Sequence, residues 1–197
     1  STPQVKLLLT LQEGDTIAHM RRSARLAGPF FKKLFVKADS IQCISHFLKE
    51  FAWNVLGDRS DKVLVIPNGV DIALFDRVVP TETVAQIRKG YKFTEDDKVI
   101  VTTSRLTHKN GIDTLIDTMR LLPEKYKLLL IGAGPDEQML KDQVARLGLD
   151  NRVVFAGKKL FEDLYMYLKS SQVFVRLSRS EGFGNSFIEA MAARIPV

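Results

Sequence analysis

The 197-residue chain is 45% hydrophobic and 26% charged, with a formal net charge of +6; this is the composition of a soluble globular protein, and the length fits one large domain or two small ones. Its apolar runs are strand-sized, short of the roughly 20 residues that a bilayer-spanning helix needs, and residues 1–9 lack the basic start and cleavage site of a signal peptide. Cys43 is the only cysteine, which excludes an intrachain disulfide and any site needing two thiolates, and makes a reducing cytoplasm the expected compartment.

In chain order, residues 5–11 read as a buried strand. The stretch "RRSARLAGPFFKKLFVK" (21–37) follows, in which Leu26, Phe30, Phe31, Leu34 and Phe35 alternate with bases. Two readings are open: a helix packing its apolar side on a core with its lysines in water, or a helix lying on an anionic membrane surface. Strands are expected at 40–44 and 63–66, with a helix at 45–56 between them that Ser45 caps before His46. Next, "IPNGVDIALFDRVVPTETVAQIRKGYKFTEDDK" carries a Pro-Asn-Gly turn, an extended piece, Pro80 and a short helix. This is the expected domain boundary, dividing the chain into 1–79 and 80–197. Beyond it strands are expected at 99–104, 127–131, 153–155 and 173–177, and helices at 112–122, 137–147, 161–169 and 186–193. Ile112, Leu115, Ile116, Met119 and Leu122 fall on one helical face. Continuous apolar strands flanked by helices mean an α/β fold whose parallel sheets are covered on both sides. The closing Ile195-Pro196-Val197 reads as the start of another strand, and each half has too few strands for a complete doubly wound sheet. The chain is therefore expected to be an internal piece of a longer protein.

In open parallel sheets, ligands bind at the carboxyl ends of the strands, where loops lead into helix N-termini. Four such loops follow the boundary: "SRLTHKNG", "GAGP", "AGKK" and "SRSEGFGNS". The first offers Arg105 and Lys109 beside a helix starting near Asn110 or Gly111. A planar guanidinium, a mobile ammonium and free helix N–H groups together would neutralise a diphosphate; two solvated bases beside an Asn cap fit the spacing equally well. In the second loop, Gly132 and Gly134 need only a tight turn. The dinucleotide fingerprint G-x-G-x-x-G fails there, because Glu137 stands at the third glycine and Pro135 opens the helix. In the fourth loop, Gly182 and Gly184 allow close backbone approach to a ligand. Ser186-Phe187-Ile188-Glu189 has the form of a capping box, which is the local alternative to a ligand role for Glu189. Glu181 either accepts hydrogen bonds from sugar hydroxyls or is a solvated loop acid. No metal-ligand spacing joins His19, His46 and His108, and neither a G-x-S-x-G elbow nor a G-x-x-x-x-G-K-[ST] loop occurs.

The order of "SRLTHKNGIDTLIDTM", "LLLIGAGPDEQMLKDQVARLGLDNRVVFAGK" and "SEGFGNSFIEAMAARIPV" resembles the nucleotide-binding domain of the family-4 retaining glycosyltransferases of the GT-B fold. "ADSIQCISHFLKEF" with "KVLVIPNGVDIALF" resembles the end of their N-terminal domain and the linker. The resemblance implies two Rossmann-like domains with parallel sheets, both incomplete in this chain. It implies retaining transfer of a hexosyl group from a UDP-, GDP- or ADP-sugar to a glycan, lipid or small-molecule acceptor, with no required cofactor and no metal. Arg105 and Lys109 then bind the donor diphosphate and stabilise the leaving group. Glu181, the first glutamate of the E-x7-E motif, contacts the donor sugar, and Glu189, the second, holds the ribose hydroxyls. Gly182, Phe183, Gly184, Asn185 and Ser186 line the sugar and phosphate site, with Gly134 and Lys158 as the donor-binding residues of the second and third loops, the latter bordering the base.

The chain departs from the family on the acceptor side. No counterpart of the glycine-rich loop near the N-terminus is present, and where relatives carry a histidine after the first strand, Gln12 stands, followed by Glu13, Gly14 and Asp15. The further C-terminal strand and helices of relatives are also missing, so the fragment by itself is expected to be inactive. The expected setting is the cytoplasm, with peripheral contact at the inner membrane face through residues 21–37. Two other functions fit the architecture: a nucleotide-sugar 2-epimerase, and a non-catalytic protein binding sugar nucleotides or a membrane surface. Nucleic acid is not an expected partner, because the bases are not arranged with exposed stacking aromatics.

Overall fold

A computed structural model describes residues 5–12, 22, 26 and 28–197. Glu13, Gly14 and Asp15, together with His19 and the bases Arg21 and Arg25, lie outside the described residues. The chain forms two compact units. The first runs through Gly69 and takes in Ser180–Gly184; the second comprises Val70–Arg179 and Asn185–Val197.

In the first unit, β1 (Leu8–Leu11), β2 (Ser40–Cys43) and β3 (Val63–Val65) form a parallel sheet in the order β1-β2-β3. Helix α1 (Pro29–Lys37) begins with proline at its first position, where the missing N–H costs nothing. Its last carbonyls are closed by Lys62, whose Nζ donates to Phe35, Val36 and Ala38 at 2.8, 3.0 and 3.1 Å, a cation placed at the negative end of the helix dipole. Helix α2 (His46–Leu56) is capped as expected: Ser45 Oγ accepts from the Leu48 N–H at 3.4 Å, and Gly57, left-handed at φ 87°, ends it. Phe35, Phe51 and Leu48 pack with Ile41, Cys43 and Val63 in one core on one face of the sheet. Burial pushes the Cys43 thiol up to about 11, so it packs as a small hydrophobe. The expectation of a buried first strand is corrected. Val5, Leu7 and Leu8 are exposed, and only Leu9 and Leu11 turn inward, so the helices cover a single face of this sheet among the described residues.

The second unit has a four-stranded parallel sheet in the order β6-β5-β4-β7, built from β4 (Lys98–Thr103), β5 (Tyr126–Ile131), β6 (Val153–Gly157) and β7 (Val173–Phe174). Its two faces follow the period of a strand. Ile100, Leu128, Leu130 and Val153 pack with Ile112, Leu115, Ile116 and Met119 of α5 (Ile112–Met119) and with Leu140 and Val144 of α6 (Glu137–Arg146). Val99, Val101, Leu129, Ile131 and Phe174 face the opposite way. They pack on Leu168 of α7 (Leu164–Lys169), Ala190 of α8 (Asn185–Ala192) and Leu74 and Phe75 of the short helix α3 (Ile72–Phe75). This sheet is covered on both sides, as the apolar strands require.

Where an extended piece is expected before Pro80, the chain turns into α3, capped by Asp71 Oδ1 accepting from the Leu74 N–H at 3.0 Å. Because Phe75 is fully buried in the second core, the units divide at Gly69 and Val70, upstream of Pro80. Helix α4 (Thr81–Gly90) follows. Among the described residues no helix is long and apolar enough to cross a membrane.

Candidate functional site

Strand order locates the site. The chain runs β4, β5, β6 outward and then returns to place β7 on the other side of β4, so the crevice between the carboxyl ends of β4 and β7 is the topological switch point of the sheet. The loops leaving β4, β5 and β6 are stitched together by backbone bonds. Ser104 N–H donates to the Ile131 carbonyl at 2.9 Å, Leu106 N–H to Ala133 at 3.1 Å, and Asp136 N–H to Leu106 at 3.2 Å; Gly132 N–H reaches Gly157 at 2.9 Å. A side chain on Gly132 would collide with the Ser104 carbonyl, and one on Gly134 with the Leu106 carbonyl. The glycines therefore serve close approach of neighbouring loops, where the sequence suggests only a tight turn. Pro135 does not open the helix, which starts at Glu137.

Over these loops lies a cleft of about 660 Å³ lined by Thr103, Ser104, Arg105, Gly134, Lys158 and Lys159 among others. It brings together three of the expected site residues, Arg105, Gly134 and Lys158. Arg105 and Lys158 are exposed and available to an anion. Lys159 lies 5.1 Å from the Tyr167 ring centre and 5.8 Å from that of Tyr91; its ammonium is held above the ordinary lysine range, first by the Tyr91 hydroxyl.

Lys109 sits in a 3-10 turn, His108–Asn110, before α5. Asn110 is not a helix cap. It is buried, and its Nδ2 donates to the Arg105 carbonyl and to Thr107 Oγ1, closing the turn from within. Gly111 supplies the left-handed step (φ 66°) from the turn into α5, pressed against the Leu177 carbonyl.

Two arginines outside the expected site residues tie this turn to the β7 loop. Arg179 N–H donates to the Lys109 carbonyl at 2.8 Å, and its guanidinium reaches the His108 carbonyl at 2.6 Å and both Asp113 carboxylate oxygens at 2.8 Å. Arg176 donates from Nε to Ser178 Oγ at 2.8 Å, from Nη1 to Ser186 Oγ at 2.7 Å and from Nη2 to Asn110 Oδ1 at 3.1 Å. The signal was present in "VFVRLSR": a base inside an otherwise apolar run must find acceptors when it is covered.

The capping box does not form as the pattern suggests. Helix α8 begins at Asn185, so Ser186 lies inside its first turn, and its hydroxyl accepts from Arg176. Glu189 is half-buried. Burial holds its carboxyl above the ordinary glutamate range, and the positive charge of Arg176 partly offsets this.

The turn that carries Lys109 and the helix that carries Ser186 and Glu189 are thus linked by Arg176 within the second unit. Glu181, Gly182, Phe183 and Gly184 group with the first unit, where Phe183 packs against the core of α1 and α2. Glu181 is exposed, and its Oε1 accepts from the Gly182 N–H at 3.1 Å. Gly184 is left-handed at φ 79°, and Asn185 is exposed at the start of α8. No group of three or more His, Cys, Asp or Glu suited to a metal ion occurs among the described residues.

The second unit therefore brings Arg105, Gly134 and Lys158 to one cleft, and ties the turn that carries Lys109 to the helix that carries the half-buried Glu189. Known proteins are similar to the chain in sequence and fold. The chain is 35% identical over 156 residues to an uncharacterized glycosyltransferase of Methanocaldococcus jannaschii, covering 78% of this chain and 40% of that protein. It is 28% identical over 194 residues to the alpha-monoglucosyldiacylglycerol synthase of Streptococcus pneumoniae, covering 93% and 43%. The crystal structure of Anabaena HepE in complex with UDP-glucose superposes with a TM-score of 0.81 at 25% identity, over 98% of this chain and 52% of that one. The chain thus spans about two fifths of these curated relatives and half of the solved structure. The model of the group 1 glycosyl transferases matches residues 83–197, the same stretch that carries the switch-point loops, and the chain belongs to that family.

Proposed function

We propose that the protein containing this chain is a retaining hexosyltransferase that takes its sugar from a nucleoside-diphosphate donor bound by the second unit. The observation that carries this reading is the tie between the turn that bears Lys109 and the helix that bears Glu189, made by Arg176 through Asn110 Oδ1 and Ser186 Oγ. Departure of a nucleoside diphosphate builds negative charge, and cations fixed in advance lower the barrier to it. In this reading Arg105 and Lys109 take the diphosphate and stabilise the leaving group, and Glu189 accepts from the ribose hydroxyls. Gly134 and Lys158 border the nucleotide, and Glu181, with Gly182 to Ser186, attends the donor sugar. No metal step is needed. UDP is the favoured nucleotide, in keeping with the UDP-glucose complex of HepE. A thermal-shift and hydrolysis screen of UDP-, GDP- and ADP-glucose on the full-length protein tests the reading. Stabilisation and turnover with one donor are expected, and no response to any of them would overturn it.

The acceptor is proposed to be lipid-linked, with the enzyme at the inner membrane face. Helix α1 exposes Phe30, Leu34 and Val36 beside the bases Lys32, Lys33 and Lys37, a pairing suited to an anionic lipid surface. The similarity to the alpha-monoglucosyldiacylglycerol synthase supports that acceptor class. Sedimentation with phosphatidylglycerol vesicles, but not with phosphatidylcholine vesicles, is expected; equal recovery from both would remove the membrane role.

A further inference from the structure

Arg176 lies two residues beyond β7, in a run of apolar residues, and its fork of donors meets acceptors on separate segments of the second unit. One arm holds Asn110 Oδ1, the side chain that closes the Lys109 turn by donating to the Arg105 carbonyl and to Thr107 Oγ1. A second arm holds Ser186 Oγ in the first turn of α8, and the Nε donates to Ser178 Oγ in its own loop. The same guanidinium supplies the charge that counters the burial of Glu189, one turn further along α8.

From this arrangement we propose that Arg176 is a positioning residue of the donor site. It holds the cation-bearing turn and the helix carrying Glu189 in one fixed geometry, so that diphosphate and ribose are engaged together. The proposal rests on the donor reading given above. Its physical basis is the planar fork: only a guanidinium presents donors in several fixed directions at once, whereas an ammonium on a flexible stem would satisfy one acceptor at the cost of the others. Placing ligand groups on separate segments is productive only if their spacing is held, because small misplacements are expensive.

The test uses the full-length protein, with UDP, GDP and ADP as probes in calorimetric titration, and the variants Arg176→Met, Arg176→Lys, Glu189→Gln and the double variant Arg176→Met/Glu189→Gln. Arg176→Met is expected to weaken binding of the preferred nucleotide roughly tenfold or more, with Arg176→Lys in between. In the Glu189→Gln background the same change should cost far less, because part of its effect passes through Glu189. A lowered melting temperature with unchanged nucleotide affinity, or losses that simply add in the double variant, would show a role in stability alone and overturn the proposal. Should Arg176→Met fail to fold, Arg176→Lys carries the same comparison, and wild-type affinity in that variant would overturn it. Wild-type protein that binds none of the three nucleotides would instead remove the donor reading itself.

Discussion

Arg179 grips Asp113 through two parallel hydrogen bonds of 2.8 Å while its own backbone N–H holds the Lys109 carbonyl at 2.8 Å. One residue therefore fixes both the first turn of α5 and the turn that presents Lys109. The Asp113 carboxyl is held below the ordinary aspartate range, first by the hydrogen bonds from Arg179. A depressed carboxyl contributes stability that is present above its unfolded value and is lost as pH falls through the folded one. The grip should thus be complete at neutral pH. Asp113→Asn is expected to weaken nucleotide binding severalfold at pH 7 through the displaced turn. Its melting temperature should lie below wild type at pH 7 and converge with it on strong acidification; a gap that persists unchanged in acid would argue against the carboxylate as its source.

Close packing of the loops gives a prediction about glycines. Gly132→Ala and Gly134→Ala drive a methyl group into the carbonyls of Ser104 and Leu106, backbone that cannot swing aside. Each should cost about 2–4 kcal/mol. Gly148 is also left-handed (φ 66°), yet a methyl there meets nothing within 4 Å, so Gly148→Ala should cost only about 1–2 kcal/mol from the backbone conformation. Urea unfolding midpoints separate the two classes. Similar midpoints for Gly134→Ala and Gly148→Ala would mean that the loop contact gives way cheaply.

Strands β4, β5 and β6 were legible because each is built on a short apolar run, and α5 because Ile112, Leu115, Ile116 and Met119 repeat at helical spacing. The candidate site was legible where a loop position is enough to find a residue, as for Arg105 and Lys109 in the run that follows β4. It was illegible where the partner is distant in sequence. The Ser186 to Glu189 spacing satisfies a capping rule that looks only a few residues ahead, while the hydroxyl is taken by Arg176, ten residues back. Likewise 173–177 reads as one strand, but its ladder stops at Phe174, and Arg176 turns to Asn110, 66 residues away. Helix α3 was hidden for a related reason: at Ile72–Phe75 it is too short for its period to show, and burial of Phe75 in the second core sustains it.

Lys109 separates binding chemistry from stability. Its side chain is exposed, while its backbone carbonyl carries the bond from Arg179. Lys109→Ala removes the ammonium and leaves that bond in place. Transfer by the full-length enzyme should fall by roughly two to three orders of magnitude, the scale of losing one preorganised electrostatic contact, with the melting temperature within a degree or two of wild type. Retained activity would exclude Lys109 from the donor site.

Glu189 should show the opposite trade. Burial raises its carboxyl above the ordinary glutamate range, and the Arg176 charge only partly offsets this, so the folded chain binds the proton more tightly than the unfolded one. The sign follows: this contribution to stability is fully present below the unfolded value and is lost as pH rises through the folded value, leaving the ionised group a burden at neutral pH. Glu189→Gln removes that burden. The variant is expected to melt higher than wild type at pH 7, with the difference closing as pH falls below the ordinary glutamate range. The same change replaces a charged acceptor by a neutral one, which lowers the worth of a ligand hydrogen bond by about 1–1.5 kcal/mol, so UDP should bind roughly tenfold more weakly. A fold made more stable and a site made weaker by one substitution is the mark of a carboxylate kept for its ligand. A lower melting temperature at pH 7 would mean instead that the carboxylate is a structural member of α8, and the ribose role would have to be given up.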